Sequence, residues 1–279
     1  MRSGSIGIDL GGTKLLLLCE HAEAIYSTGI GFTPDQLLAH LDNFITQNEL
    51  MPSSIGLAVP GLVNASGDIV LSDVLPAFNG WQATQALQPW CNTVAVLNDI
   101  KAALIQEFSH ASKDVTAGVV MVGTAIGAAL MVQGRPLTGT CGWAGELGYL
   151  PIAQHDQIRR LDDLASGAAL VKASGLQPTD LALRAHANDR QVLDMIQTAG
   201  AALGLGLASV IHLFNPSKLS LGGGTLQLPG YWEAALQSAQ ENTLPMLWQA
   251  CELNRIKNAA HVVALGAIQA GLDYSQNRS

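Results

Sequence analysis

The chain has 279 residues, a formal net charge of −8, 48% apolar residues and 13% charged ones. That length carries two modest domains or one large one, and an acidic balance with no basic cluster argues against nucleic acid or an anionic membrane as partner. The four cysteines, Cys19, Cys91, Cys141 and Cys251, lie far apart and form no CxxC pair, so neither a disulfide framework nor a cysteine zinc site is indicated and a reduced, cytoplasmic protein is expected.

The chain runs into a strand at once, without a secretory leader. Ile6-Gly7-Ile8-Asp9-Leu10 alternates, breaks at Gly11-Gly12 and resumes over 15–18. This predicts a β-hairpin over 6–18 with a glycine turn. A helix over 34–50, a strand over 55–59, an irregular loop, a strand over 93–97 and a helix over 100–110 follow. Residues 119–132 predict a second hairpin with Gly123-Thr124 in its turn, and a Gly-rich connection leads on to about Pro151. Beyond it we expect helices over 161–173 and 190–214, a strand over 218–221, a helix from Tyr231 and a final helix from Val262. Residues 195–214 are apolar but rich in Gly and Ala and carry His212, which reads as a buried helix and not a membrane span. Strands alternating with helices make an α/β layer structure. The expected domains are 1–114 and 115–261, with the polar pair Lys113-Asp114 at the junction. The last helix, 262–279, is a candidate to pack back on the first domain.

Several residues have the chemistry for a site. Turn glycines let backbone N–H groups approach a phosphate without a Cβ in the way. Asp9, at a strand end facing the first turn, suits Mg²⁺ held through water. Gly11, Gly12, Thr13 and Lys14 suit phosphate oxygens, against the plain alternative of an ordinary hairpin turn with a charged flank. Gly123 and Thr124 form a second phosphate candidate, against a core hairpin of small residues. Two such hairpins suggest a duplicated fold gripping one polyphosphate from both sides. Asp99, following Asn98, is either the N-cap of the next helix or a general base taking the proton of an attacking hydroxyl. The phosphate hairpins favour the base. Gly222, Gly223 and Gly224 allow close approach of a flat ligand such as adenosine, or form a flexible turn. Glu146 is a sugar-hydroxyl acceptor or a solvated loop charge. Asp162 and Asp163 suit the first turn of a helix.

The segments IGIDLGGTK (6–14), GLAVPGLV (56–63), LNDIKAAL (97–104), GTAIGAAL (123–130), AGELGYLPI (144–152), LASGAAL (164–170), LFNPSKLSLGGG (213–224) and ALGAIQAG (264–271), in this order, resemble the ROK family (repressors, open reading frames and sugar kinases). The resemblance covers nearly the whole chain. It implies an actin-like, ribonuclease H-like two-domain sugar kinase fold with a duplicated β-hairpin phosphate-binding core. It implies ATP-dependent phosphorylation of a hexose 6-hydroxyl, the hexose being glucose-type or an N-acetylhexosamine, with ATP and Mg²⁺. On matching positions, Asp9 to Thr13 would hold phosphate and Mg²⁺, Gly123 and Thr124 the second phosphate loop, and Gly222–Gly224 the adenosine. Gly61, Asn98 and Glu146 would contact sugar, and Asp99 would be the base.

Departures from the family pattern are equally specific. Most members carry a CxCGxxGCxE zinc motif where residues 153–162 hold no cysteine, and a zinc- and sugar-contacting His where Tyr149 stands. The resemblance with these losses implies no structural zinc and leaves His155 as an exposed loop residue. Asp162 replaces a longer sugar-contacting Glu, and Ala77 replaces an Asn, with Asn79 a candidate substitute. Ala125 and Ala128 replace glycines of the second phosphate loop. Tyr149 and Asp162 stay substrate-binding candidates. The pattern fits altered sugar preference. The alternatives are a catalytically weak sugar-binding or regulatory protein and a polyphosphate-using glucokinase. Family members are often dimers, so a homodimer is an expectation too. A DNA-binding repressor is disfavoured, since only five residues precede the first strand.

Overall fold

A computed structural model describes residues 2–154 and 157–276. His155 and the residues after Gln276 lie outside the described residues. In chain order the elements are β1 (Arg2–Leu10), β2 (Lys14–Cys19), β3 (Ala22–Ser27), α1 (Pro34–Gln47), β4 (Leu50–Val59), β5 (Leu62–Val63), β6 (Ile69–Leu71), α2 (Ala83–Leu87), β7 (Val94–Asn98) and α3 (Asp99–Glu107). Then come β8 (Ala117–Val122), β9 (Ile126–Val132), β10 (Arg135–Pro136), β11 (Pro151–Gln154), β12 (Gln157–Arg160), α4 (Asp162–Ala165), α5 (Gly167–Ser174), α6 (Pro178–His186), α7 (Arg190–Phe214), β13 (Lys218–Gly222), α8 (Tyr231–Glu241), α9 (Pro245–Ala250), β14 (Glu252–Arg255) and α10 (Val262–Gln276). Two compact units divide them. The first takes the chain up to His110, Thr138–Ala144 and the stretch from Asn258. The second takes Ala111–Leu137 and Gly145–Lys257.

Both units use one plan. The first unit's sheet has the order β3-β2-β1-β4-β7, and the second's has the order β10-β9-β8-β13-β14. In each, a meander of antiparallel strands leads into three parallel ones: β1, β4 and β7, or β8, β13 and β14. The duplicated hairpin core is thus a property of the fold.

In the first unit Ile6, Ile8, Leu10, Leu15 and Leu17 join Leu37, Leu41 and Phe44 of α1 in one apolar core. The opposite face of the sheet takes α10, which approaches so closely that side chains are excluded. A Cβ on Gly7 would lie 2.2 Å from the Ala264 carbonyl oxygen, and one on Gly56 would lie 1.8 Å from that of Ala267. Thr138–Ala144, within the expected second domain, clusters with the first unit. Its loop is closed by the Ala144 amide donating to the Thr138 carbonyl, and Lys101 Nζ donates to the Gly142 carbonyl.

In the second unit α7 supplies the core, with Ile196, Leu203, Leu207 and Ile211 fully buried. This helix is long and apolar enough to cross a membrane by length and composition, yet 61% of its most apolar window is buried inside the protein. Tyr231 of α8 is fully buried and donates its hydroxyl to the Ala165 carbonyl at 2.6 Å.

Some boundaries differ from the sequence expectations. The helix expected over 34–50 ends at Gln47. Its start is fixed by a capping box between Thr33 and Gln36. Its end is fixed by Asn48 and by Glu49 at φ 52°, after which Leu50 pairs with Arg2 as the first residue of β4. The helix expected over 161–173 is two helices, because Ser166 is extended (φ −73°, ψ 163°) and caps α5 through its hydroxyl. Strand β3, helices α6 and α9 and strand β14 were not foreseen, and the irregular loop after Val59 contains the β5–β6 hairpin and α2.

Candidate active site

In the first unit the parallel strands bring their carboxyl ends to one edge. Asp9 pairs with Ala58 on β4, and Val59 pairs with Asn98 on β7. Asp9 and Asn98 therefore stand two strands apart, about 10 Å by strand spacing. Such an edge is where open α/β sheets bind ligands. Burial pushes the Asp9 carboxyl up to about 6, the nearby Lys14 charge opposing the rise. The turn after Asp9 is tied on both sides: the Gly11 amide donates to the Lys14 carbonyl at 2.8 Å, and Thr28 Oγ1 donates to the Gly11 carbonyl at 2.6 Å. Gly12 faces Val74, whose Cγ1 would lie 2.2 Å from an added Cβ. Thr13, at the tip, is exposed.

Asn98 caps α3. Its Oδ1 accepts from the amides of Ile100 (2.9 Å) and Lys101 (3.4 Å), and its Nδ2 donates to the Gly61 carbonyl at 3.0 Å. The capping role that the sequence offered to Asp99 thus belongs to Asn98, which is extended while Asp99 is the first helical residue. Asp99 Oδ1 accepts from the Ile100 amide at 2.9 Å. Gly61 has φ 121°, and an added Cβ would lie 2.2 Å from the Leu71 carbonyl oxygen. Backbone demands alone therefore account for a glycine there. Asn79 Oδ1 accepts from the Ser72 amide at 2.6 Å, so its oxygen is committed to the local turn.

In the second unit the turn at Gly123 and the triple glycine leave the same edge, since Gly222 pairs with Met121. The Gly123 amide donates to the Ala125 carbonyl, and its own carbonyl accepts from the Gly167 amide (2.8 Å) and Thr225 Oγ1 (3.1 Å). Thr124 is exposed at the tip, and its carbonyl accepts from the Ala168 amide at 3.1 Å. Gly222 abuts Met121 and Ile256. Gly223, at φ 108°, leaves no room for a Cβ against Val122. Gly224 faces open space.

Asp162 braces this hairpin: its Oδ1 accepts from the Ile126 amide at 2.6 Å. Partial burial raises its carboxyl above the ordinary range, opposed by that amide and by Arg160. Gly148 fits between the Ile126 carbonyl and the Asp162 carboxyl, 2.4 and 2.6 Å from where its Cβ would be. Glu146 is exposed. Tyr149 is 55% exposed, with the Arg160 guanidinium 5.1 Å over its ring.

The structure thus groups Asp9, Gly11, Gly12, Thr13, Lys14, Gly61, Asn98 and Asp99 in the first unit. Gly123, Thr124, Glu146, Tyr149, Asp162, Gly222, Gly223 and Gly224 fall in the second. Thr28, Gly167 and Thr225 support these turns, Lys101 holds the Gly142 carbonyl, and all four were missed. Thr225 directly follows the triple glycine and Lys101 follows Asp99 by two, so proximity to a recognised motif was the available signal. Among the described residues no group of three or more His, Cys, Asp or Glu could hold a metal. A magnesium ion bound largely through substrate phosphates asks only for one or two carboxylates, and Asp9 at its strand end fits that demand.

A family model described as "ROK family" matches residues 5–270. N-acetyl-D-glucosamine kinase of Pectobacterium atrosepticum is 25% identical over 95% of this chain and 97% of its own. The xylose repressor of Bacillus subtilis is 29% identical over 76% of this chain and 59% of its own. A further curated relative, 30% identical, is covered over 62% of its length, so the chain spans less than two thirds of these last two. Among solved structures, the ROK hexokinase from Thermus thermophilus superposes with a TM-score of 0.82, at 26% identity, over 98% of this chain and 99% of that one.

Proposed function

From the premise that the chain belongs to the ROK family, we propose that it is a sugar kinase, moving the terminal phosphoryl group of ATP to the 6-hydroxyl of a hexose, glucose-type or an N-acetylhexosamine. The observation that carries this reading is the shared strand edge of the first unit, with Asp9 at the end of β1 and the Asn98–Asp99 pair at the end of β7, parallel strands on either side of β4. The similarity to a kinase of N-acetyl-D-glucosamine, end to end, supports it.

Asp99 accepts the proton of the sugar hydroxyl while that oxygen bonds to phosphorus and the bond from phosphorus to the ADP oxygen breaks. Asn98 Oδ1 is spent on the helix cap and one amide hydrogen on Gly61, so its second amide hydrogen is the one offered to the sugar. Gly61 brings backbone to the sugar, and Glu146 accepts from a sugar hydroxyl. Gly11 and Gly123 spend their amides on closing their turns. Phosphate contact therefore falls to Gly12, Thr13 and Lys14 in the first unit and to Thr124 in the second. Gly224, facing open space, is the member of the triple glycine best suited to a flat adenosine. Asp9 would hold Mg²⁺ through water, and the ion, when bound, neutralises phosphate charge. A cytoplasmic location and a homodimer accompany this reading.

The similarity to a xylose repressor favours one second reading, a sugar-binding regulatory protein with little turnover. Phosphorus NMR of the product decides the chemistry: a hexose 6-phosphate formed from ATP is expected. Phosphate on another oxygen, or formation only from polyphosphate, contradicts the proposal.

A further inference from the structure

Arg160 joins three segments that the reaction above does not explain. Its guanidinium lies over the Tyr149 ring at 5.1 Å. Its Nε and Nη2 reach the two carboxylate oxygens of Asp163, at 3.1 and 3.4 Å. Arg159 adds a bond from Nη2 to the Asp163 carbonyl at 2.6 Å. Tyr149 stands three residues after Glu146, at the end of a single turn of 3-10 helix over Leu147–Tyr149. Arg160 ends β12, and Asp163 lies in the first turn of α4. Between them, Leu161 donates its amide to the Leu150 carbonyl at 2.9 Å and is fully buried.

The arrangement closes a ring around the carboxylate that braces the second hairpin. Strands β11 and β12 pair Pro151 with Arg160 and Ile152 with Arg159, so the chain leaving Tyr149 returns beside it. Asp162 lies between Arg160 and Asp163 in sequence and holds the Ile126 amide. A guanidinium over an aromatic face and a forked carboxylate pair are each weak contacts at an exposed site. Sharing one cation, they fix both its plane and its position.

We propose that Arg160 is a positioning residue: stacked on Tyr149 and forked onto Asp163, it pins residues 146–149 to the start of α4 and keeps Asp162 against the second hairpin. In this arrangement Tyr149 contributes its ring face and not its hydroxyl, and the pin holds the loop that carries Glu146. The consequence for sugar binding rests on the kinase reading; the pin does not.

Two readouts on the full chain test it. Amide hydrogen exchange over 147–153 and at Ile126 is measured first, for Arg160→Ala, Arg160→Lys, Tyr149→Phe and Tyr149→Leu. Arg160→Ala should speed exchange there by about tenfold, and Arg160→Lys, which keeps a cation but loses the fork, by less. Tyr149→Phe should keep the protection that Tyr149→Leu loses, and Arg160→Ala combined with Tyr149→Leu should exchange no faster than Arg160→Ala alone. Steady-state kinetics come second: Arg160→Ala should raise the sugar KM by about tenfold with kcat changed by less than about threefold. Unchanged exchange in Arg160→Ala, or equal loss in Tyr149→Phe and Tyr149→Leu, would overturn the pin. If no sugar is turned over by the unaltered chain, the kinase reading fails, and the exchange experiment still decides the pin.

Discussion

Asp9 shows what a single side chain can be asked. Burial at the end of β1 lifts its carboxyl from the ordinary 3.8 to about 6, so the folded protein holds a proton there that the unfolded chain has released. Stability therefore falls as pH rises from about 4 to about 6, and is level above that window. Asp9→Asn should remove this fall. Its gain in Tm over the unaltered chain should be absent below about pH 4 and complete above about pH 6, in a thermal melt series without nucleotide. A gain already full at pH 3 would contradict the assignment. Gly223 makes a second prediction: with φ 108° and the Val122 backbone 2.3 Å from an added Cβ, Gly223→Ala should cost roughly 2 kcal/mol or more in denaturant unfolding. Other glycines of the motifs were legible as glycines but not by cause. Gly12 lies against the Val74 side chain, while Gly61 is required by the Leu71 carbonyl and its φ of 121°, contacts made by residues distant in sequence. The choice between Asn98 and Asp99 as cap was equally hidden. Both types suit the position, and only the extended backbone of Asn98 separates them.

Among elements, strong periodicity was readable and endings were not. Helix α7 stands over the span expected for it, because a continuous 25-residue amphipathic pattern leaves one register. The two hairpins were readable because glycine interrupts an apolar strand pattern in both. Strand β3 was not, since its six residues alternate only weakly and its place is given by pairing with β2. The break between α4 and α5 depends on Ser166, which donates to the Asp162 carbonyl at 2.7 Å and accepts from the Ala169 amide at 3.1 Å. It is 2% exposed. Ser166→Ala should cost about 1 kcal/mol of stability, measured by urea unfolding; a loss under a few tenths would show that the cap is dispensable. Helix α10 makes the stronger claim. Gly56→Ala places a methyl group 1.8 Å from the Ala267 carbonyl oxygen, backbone against backbone. It should lower stability by about 2–4 kcal/mol, whereas an alanine at Gly29, which meets nothing within 4 Å, should not.

For the whole molecule, the duplicated plan was legible because its two hairpins recur in sequence with glycine turns, and the matching strand orders follow from it. What was hidden is the place of one short segment. Thr138–Ala144 clusters with the first unit while its flanks belong to the second, and no local pattern in that Gly-rich stretch signals it. The chemistry was legible only in outline: residue types marked the strand ends, while the spending of Asn98, Gly11 and Gly123 on their own turns became visible from hydrogen bonds. The most direct measurement is ADP release from MgATP against a panel of hexoses and N-acetylhexosamines, with Asp99→Ala alongside. The account predicts turnover on at least one sugar, lowered by ~10²-fold or more in Asp99→Ala while nucleotide binding stays nearly unchanged. Turnover that survives Asp99→Ala undiminished, or no turnover on any sugar while sugar is still bound, would contradict it.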